Sequence, residues 1–171
     1  MSSYISFWIK NKDGTIIRLC DFCRSTEIYQ MAKEAGIDGI YDKKENQDIW
    51  NVDKWAEPYT REKSSKIISV TNRWIAETKE RIIELNEKIN LIKDMANSTI
   101  DEKLEKINDY EHYIAEYKEE LEYLAAAATQ VYFLEEIRDT ICSYNSSNEE
   151  KDNCLWAGID CNMKGANNEE E

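Results

Sequence analysis

The sequence predicts an α+β protein in which a long antiparallel coiled-coil hairpin of α-helices stands on a small base of β-strands plus a short helix. Three observations support this fold class. One proline and five glycines in 171 residues favour long uninterrupted helices. Residues 1–60 combine β-branched and aromatic runs with turn signals, and from about residue 61 apolar side chains recur at the spacing of three and four residues that is typical of helices. Both chain ends are expected to form the base.

The base begins with a predicted β-hairpin. Residues 4–9 and 15–19 are rich in β-branched and aromatic side chains, which favour strands. Between them, Asp13-Gly14 is a strong signal for a tight turn. We therefore expect two antiparallel strands at the start of the chain.

A short helix is predicted next in this first region, residues 1–60. Ser25 or Thr26 can cap its amino terminus, and Gly36 can end it after about Ala35. The segment that follows, residues 37–59, has no regular period. Its large aromatic side chains are expected to pack the base together: Tyr41, Trp50, Trp55 and Tyr59.

The central region, residues 61–144, is predicted to be the helical hairpin, with helices at about 62–97 and 99–144. Asn97-Ser98 interrupts the first helix, and Thr99 with Glu102 has the form of a capping box that starts the second. Each helix carries an apolar seam of the coiled-coil type. The first seam is Ile68, Thr71, Ile75, Thr78, Ile82, Leu85, Ile89, Ile92 and Ala96, and the second is Ile107, Tyr110, Ile114, Tyr117, Leu121, Leu124, Ala128, Val131, Leu134, Ile137 and Ile141.

The last region, residues 145–171, is predicted to return the chain to the base. Residues 145–153 are polar and form a linker in this interpretation. A strand at about 154–161 then joins the amino-terminal strands, and an acidic disordered tail follows.

The net charge of −13 is unevenly distributed along the chain. Residues 1–60 hold 8 basic and 10 acidic side chains, residues 61–100 hold 8 and 6, and residues 101–171 hold 6 and 19. This acidic field disfavours direct binding to nucleic acid or to an anionic membrane. Because no basic leader or membrane-spanning apolar run is present, we expect a soluble cytoplasmic protein.

The acidic side of the second helix is the first candidate site. Spaced carboxylates on a helix can imitate the phosphates of nucleic acid and so block a basic groove on a protein partner. In the alternative interpretation the same carboxylates are only a solvated helix face. The candidate protein-binding residues are Glu111, Glu116, Glu119, Glu120, Glu122, Glu135 and Glu136.

A run of four small residues, Ala125, Ala126, Ala127 and Ala128, is the second candidate site. Small side chains let another backbone approach closely, so this patch is a candidate interface for a homodimer. The alternative is that these alanines make room for Trp74 or for the aromatic residues of the base.

The sequence offers little for catalysis or metal binding. His112 is the only histidine, and it is expected on the outer face of the second helix. No phosphate-binding glycine loop or nucleophile elbow occurs, so we expect a non-enzymatic protein without a cofactor. Ordinary thiols are the favoured interpretation of the cysteines, and the alternative is a structural zinc site formed by Cys20, Cys23, Cys154 and Cys161.

In small size, in its bias towards Ile, Lys, Asn and Glu, in acidity and in lack of catalytic motifs, the chain resembles accessory proteins of phages that infect low-GC Gram-positive bacteria. These include anti-CRISPR and other anti-defence proteins. The resemblance is one of composition, and it implies an inhibitor of host defence that acts in the host cytoplasm. The main hypothesis is therefore a protein-binding inhibitor that covers a basic, nucleic-acid-binding surface.

Two other classes of function remain open at this stage. One is an oligomeric protein that sequesters a nucleotide signal in a pocket lined by Trp8, Trp50, Trp55, and Arg18 or Arg24. The other is a structural coiled-coil adaptor, which needs neither a pocket nor charge specificity.

Overall fold

The computed structural model describes residues 4–22, 26–45, 48–142 and 154–160, without the side chains of residues 26–29 and 141–142. It contains a small mixed β-sheet, one short helix and two long helices. In chain order the elements are β1 (Tyr4–Lys10), β2 (Ile16–Phe22), α1 (Thr26–Glu34), β3 (Ile40–Tyr41), a 3₁₀ turn (Val52–Lys54), β4 (Glu57–Pro58), α2 (Arg61–Asp94), α3 (Ile100–Ile137), a π-helical turn (Arg138–Cys142) and β5 (Leu155–Asp160).

The chain divides into two compact units. One comprises Met1–Val70 with Ala127–Glu171, and the other comprises Thr71–Ala126. We call them the sheet unit and the helical unit. Helices α2 and α3 contribute residues to both.

The sheet of the first unit is organised around β5. The strand order is β2-β1-β5-β3, and β4 also pairs with β5. Strand β5 is antiparallel to β1, with Tyr4 opposite Asp160, and it is parallel to the two-residue strand β3. The prediction that a late strand joins the amino-terminal hairpin is confirmed.

Glycines with positive φ stabilise two of the predicted turns. Gly14, at φ +86°, lies in the connection between β1 and β2. Gly36, at φ +80°, follows α1, and the N–H of Ile37 donates to the carbonyl of Ala32 at 2.9 Å. Glycine adopts this backbone conformation without steric cost, and the α1 end is a Schellman-type cap. Both predicted turns are confirmed.

Both faces of β1 are buried, because its central residues from Ile5 to Ile9 are 2% exposed or less. On one face, Phe7 makes edge-to-face ring contacts with Phe22 at 4.8 Å and with Tyr59 at 5.0 Å. On the other face, Trp8 packs with Tyr41, Val52 and Trp55. The sheet is therefore the middle layer of the sheet unit.

The close contact between Trp55 and the Trp8 face of the sheet requires a glycine on β5. A Cβ atom added to Gly158 would lie 2.4 Å from the ring of Trp55. Since real Cβ contacts do not approach so closely, Trp55 can cover the sheet only where β5 has no side chain.

In the helical unit, α2 and α3 pack against each other, and several residues of the predicted seams are buried, whereas Ala96 is exposed. Thr78, Ile89 and Ile92 of α2 are buried, as are Ile114 and Leu124 of α3. The Arg81 guanidinium also lies 5.7 Å from the centre of the Tyr117 ring.

A capping box starts α3, as the sequence predicts. The Thr99 N–H donates to a Glu102 carboxylate oxygen at 3.1 Å, and the Glu102 N–H donates to the Thr99 hydroxyl at 3.3 Å. Each side chain therefore satisfies a backbone group that the helix itself leaves unpaired.

The α+β fold class is thus confirmed, although α2 ends three residues and α3 seven residues before the predicted ends. Helix α2 ends at Asp94 and α3 at Ile137, where the π-helical turn begins. No helix in the described residues is both long enough and apolar enough to cross a membrane.

Candidate functional site

The acidic side chains of α3 in the helical unit form the first candidate site. Glu111, Glu116, Glu119 and Glu122 are exposed, and Glu120 is half-buried. Glu116 lies 3.2 Å from His112, which is also exposed, as expected. No ion pair joins Glu111, Glu119 or Glu122 to any described residue, so these three carboxylates are available to an external group. We call Glu111, Glu116, Glu119 and Glu122 the acidic face.

The remaining two predicted acidic residues lie in the sheet unit and differ from each other. Glu136 is exposed, whereas the carboxylate of Glu135 accepts hydrogen bonds from Arg138 at 3.1 to 3.3 Å. Because this carboxylate already has a cationic partner, Glu135 is less suited than Glu136 to bind another protein.

Arg138 is a buried charged residue that sequence analysis did not single out. Its side chain is fully buried, and Nη2 donates to the backbone carbonyl of Tyr59 at 2.6 Å. Its guanidinium also lies 5.6 Å from the centre of the Tyr59 ring. Burial raises the pKa of Tyr59 well above its usual range, so the Tyr59 hydroxyl stays neutral.

The four alanines do not form one uniform surface. Ala125 and Ala126 are exposed, Ala128 is half-buried, and Ala127 is only 4% exposed. The part of this patch that a second protomer could reach is therefore Ala125 and Ala126, while Ala127 fills the interior.

The tryptophans of the predicted nucleotide pocket lie in the sheet unit. Trp8 and Trp55 are buried, with ring centres 5.9 Å apart, and Trp50 is 52% exposed at 5.3 Å from Trp8. Two of the three rings are thus part of the hydrophobic core. Only Trp50 offers an accessible aromatic face.

Arg18 lies beside this aromatic cluster, but two carboxylates neutralise it. Its guanidinium is 5.1 Å from the centre of the Trp8 ring, 2.9 Å from Asp21 and 3.6 Å from the buried Asp160. It also donates to the Ser6 hydroxyl at 3.1 Å. Two carboxylates around one arginine oppose an anionic nucleotide. The other predicted arginine, Arg24, lies outside the described residues.

The four cysteines proposed as zinc ligands differ in chemical state. Cys20 is a free, half-buried thiol, and burial, with a smaller effect of Asp21, raises its pKa to about 11. Cys154 is disulfide-bonded, so its sulfur is not a thiolate that could bind zinc. Cys23 and Cys161 lie outside the described residues. Within the described part of the chain, no three histidine, cysteine or acidic side chains are grouped so that they could hold a metal ion.

No protein family model, curated protein or solved structure matches this chain.

Proposed function

We propose that this protein is a non-enzymatic inhibitor, of phage origin, that binds a basic surface on a host-defence protein and covers its nucleic-acid site. In this proposal α2 and α3 form an antiparallel coiled-coil hairpin that presents the acidic face, and the protein acts in the host cytoplasm. The observation that carries the proposal is that Glu111, Glu119 and Glu122 are exposed and have no ion-pair partner among the described residues.

Electrostatics supports a protein partner over a nucleic acid. The segment from Asp101 to Tyr144 contains 12 acidic and 4 basic residues, so it repels phosphate backbones and attracts basic protein surfaces. Complementary charge speeds association and selects partners. Such binding should weaken as salt rises, because the Debye length falls from about 10 Å at 0.1 M to about 3 Å at 1 M.

A pull-down from bacterial lysate at low and high salt tests the proposal, with bound proteins and bound nucleotides both identified by mass spectrometry. We expect a basic nucleic-acid-binding protein that is retained at low salt and lost at high salt. A co-purified nucleotide without a protein would contradict the proposal and would favour sequestration of a nucleotide signal.

Charge reversal then tests the acidic face with a matched control. The test variant is Glu111→Lys, Glu119→Lys and Glu122→Lys. The control is Glu80→Lys, Glu84→Lys and Glu87→Lys, which changes the same number of exposed glutamates on α2 of the same unit.

We expect the α3 variant to lose the partner and the α2 variant to retain it, with unchanged helical circular dichroism in both. Equal loss in the two variants would show that net charge, and not the acidic face, governs binding. Full retention by the α3 variant would exclude this face.

A further inference from the structure

Strand β2 is an edge of the sheet whose outer side has no partner in the described part of the chain. Its one neighbour is β1, and its residues are more exposed than those of β1 or β5. Ile17 is 46% exposed. A seven-residue edge without proline is a surface to which another strand can add.

The pairing of β1 and β2 shows which backbone groups of β2 point outwards. The Asn11 N–H donates to the Thr15 carbonyl at 2.9 Å, and hydrogen-bonded pairs alternate along an antiparallel ladder. Arg18, opposite Trp8, therefore directs its N–H and carbonyl away from β1.

The same reasoning applies to Asp21, which lies opposite Ser6. Ser6 and Trp8 are two positions apart on β1, whereas Arg18 and Asp21 are three apart on β2. The irregularity between Phe7 and Trp8 accommodates the additional residue. Arg18 and Asp21 both direct their backbone groups away from β1, and their side chains lie on the same face of the sheet. Their 2.9 Å ion pair confirms this.

This arrangement is complementary to itself. If a second β2 approaches antiparallel with a two-fold axis between Leu19 and Cys20, Arg18 lies opposite the partner's Asp21 and Asp21 lies opposite the partner's Arg18. Opposite charges at directly opposed positions stabilise a strand pair. The side chains of Arg18 and Asp21 from the two copies then surround the axis with alternating positive and negative charge.

We infer that β2 is a homodimer interface, at which two copies of this chain join their sheets edge to edge through the Arg18–Asp21 pair. The interface is isologous, because each copy contributes the same strand. The nearly balanced charge around β2 also favours contact between two copies here. Residues 1–60 carry 8 basic and 10 acidic side chains, whereas residues 101–171 carry 6 and 19. The net charge of residues 1–60 is therefore −2, against −13 for residues 101–171, so two copies repel each other less through the first segment than through the last. The inference is independent of the partner that the acidic face binds.

Light scattering on size-exclusion fractions, over a wide range of protein concentration, tests the interface. We expect the wild-type mass to rise from monomer to dimer with concentration. Arg18→Asp and Asp21→Arg should each weaken the dimer at least about tenfold, because each places four like charges around the axis.

An equimolar mixture of these two variants should form a heterodimer, since every aspartate then faces an arginine of the other chain. The matched control is Glu45→Arg, which replaces an acidic residue by arginine, as Asp21→Arg does, but at an exposed position after β3. It should dimerise like the wild type.

Arg18→Asp also places a carboxylate near Asp160, so its folding is checked by thermal melting. If it does not fold, Asp21→Arg and the neutral Asp21→Asn decide the question, because the arginine variant must dimerise more weakly than the asparagine variant. A wild type that stays monomeric at all concentrations would overturn the inference and leave the β2 edge to a strand of another protein. Single variants that dimerise as well as the wild type would overturn it too.

Discussion

Arg138 and Tyr59 are joined by a 2.6 Å hydrogen bond from the buried guanidinium to a backbone carbonyl, across 79 positions of the sequence. The bond connects the turn after α3 to the residue that precedes α2 by two positions. Glu135 supplies the counter-charge from one turn earlier on α3. One side chain thus links the start of α2 to the end of α3 within the sheet unit.

Replacing Arg138 by methionine should lower the free energy of unfolding by about 2–4 kcal/mol, because the Tyr59 carbonyl loses its charged donor and Glu135 loses its partner. Urea unfolding followed by circular dichroism measures the change. Arg61→Met is the control, since the Arg61–Asp139 ion pair is exposed and such pairs contribute at most about 1 kcal/mol. Equal effects of the two substitutions would contradict the structural role of Arg138.

Gly158→Ala should destabilise the sheet unit by about 1–3 kcal/mol, because the new methyl group would overlap the Trp55 ring and force it away from β5. The Trp55 indole N–H donates to the Ile49 carbonyl at 2.8 Å, so the ring has little freedom to move. Urea unfolding with tryptophan fluorescence should report the loss. Gly14→Asn is the control, since nothing lies within 4 Å of that position and asparagine tolerates positive φ. A Gly158→Ala protein as stable as the wild type would show that this contact is not tight.

Cys20 should react slowly with iodoacetamide at neutral pH and faster as the pH approaches about 11, because only the thiolate is nucleophilic. Labelling at Cys20 is measured by peptide mass spectrometry, with Cys20→Ser to identify the labelled peptide. The raised pKa also affects stability. Since the folded thiol has a pKa of about 11 and the reference value is 9.0, its contribution is complete below pH 9 and is lost as the pH rises towards 11. Rapid labelling of the folded protein at pH 7 would contradict the burial of this thiol.

Thr99→Ala should destabilise the start of α3 by about 1 kcal/mol, because the Glu102 N–H loses its acceptor. Hydrogen exchange should then accelerate in the first turn of α3 and stay unchanged in the sheet unit. Thr99→Ser keeps the hydroxyl and should behave like the wild type. Acceleration throughout the protein would indicate that the cap controls global stability instead.

Local sequence signals predicted the elements whose stability is itself local. The glycines at positions 14 and 36 and the Thr99–Glu102 box fix turns and helix ends through contacts within a few residues, so their patterns are visible in the sequence. The two seams identified α2 and α3 because burial repeats at the helical period.

The strands that depend on distant pairing were harder to predict. Strand β2 extends to Phe22, beyond the predicted end near residue 19, because β1 supplies partners as far as Ile5. Strands β3 and β4 have two residues each and exist only where β5 passes beside them. Two residues carry too little pattern to identify a strand.

The candidate sites also divide into features that local sequence predicts and features that depend on contacts distant in the sequence. Helical periodicity places Glu111, Glu119 and Glu122 on the surface, but it could not show that Arg138 donates to the carbonyl of Tyr59, 79 positions earlier. The grouping of Arg18 with Asp160 was equally hidden, since it depends on the register between β1 and β5.

The central position of β5 has a consequence for how the protein is made. Its partner β1 leaves the ribosome before α2 and α3, and both helices must be translated before β5 follows. During that interval β1 has only β2 beside it, and contacts so distant in sequence are slow to form. The nascent chain therefore exposes an incomplete sheet until β5 has been translated, so a chaperone that shields strand edges should increase the yield of folded protein.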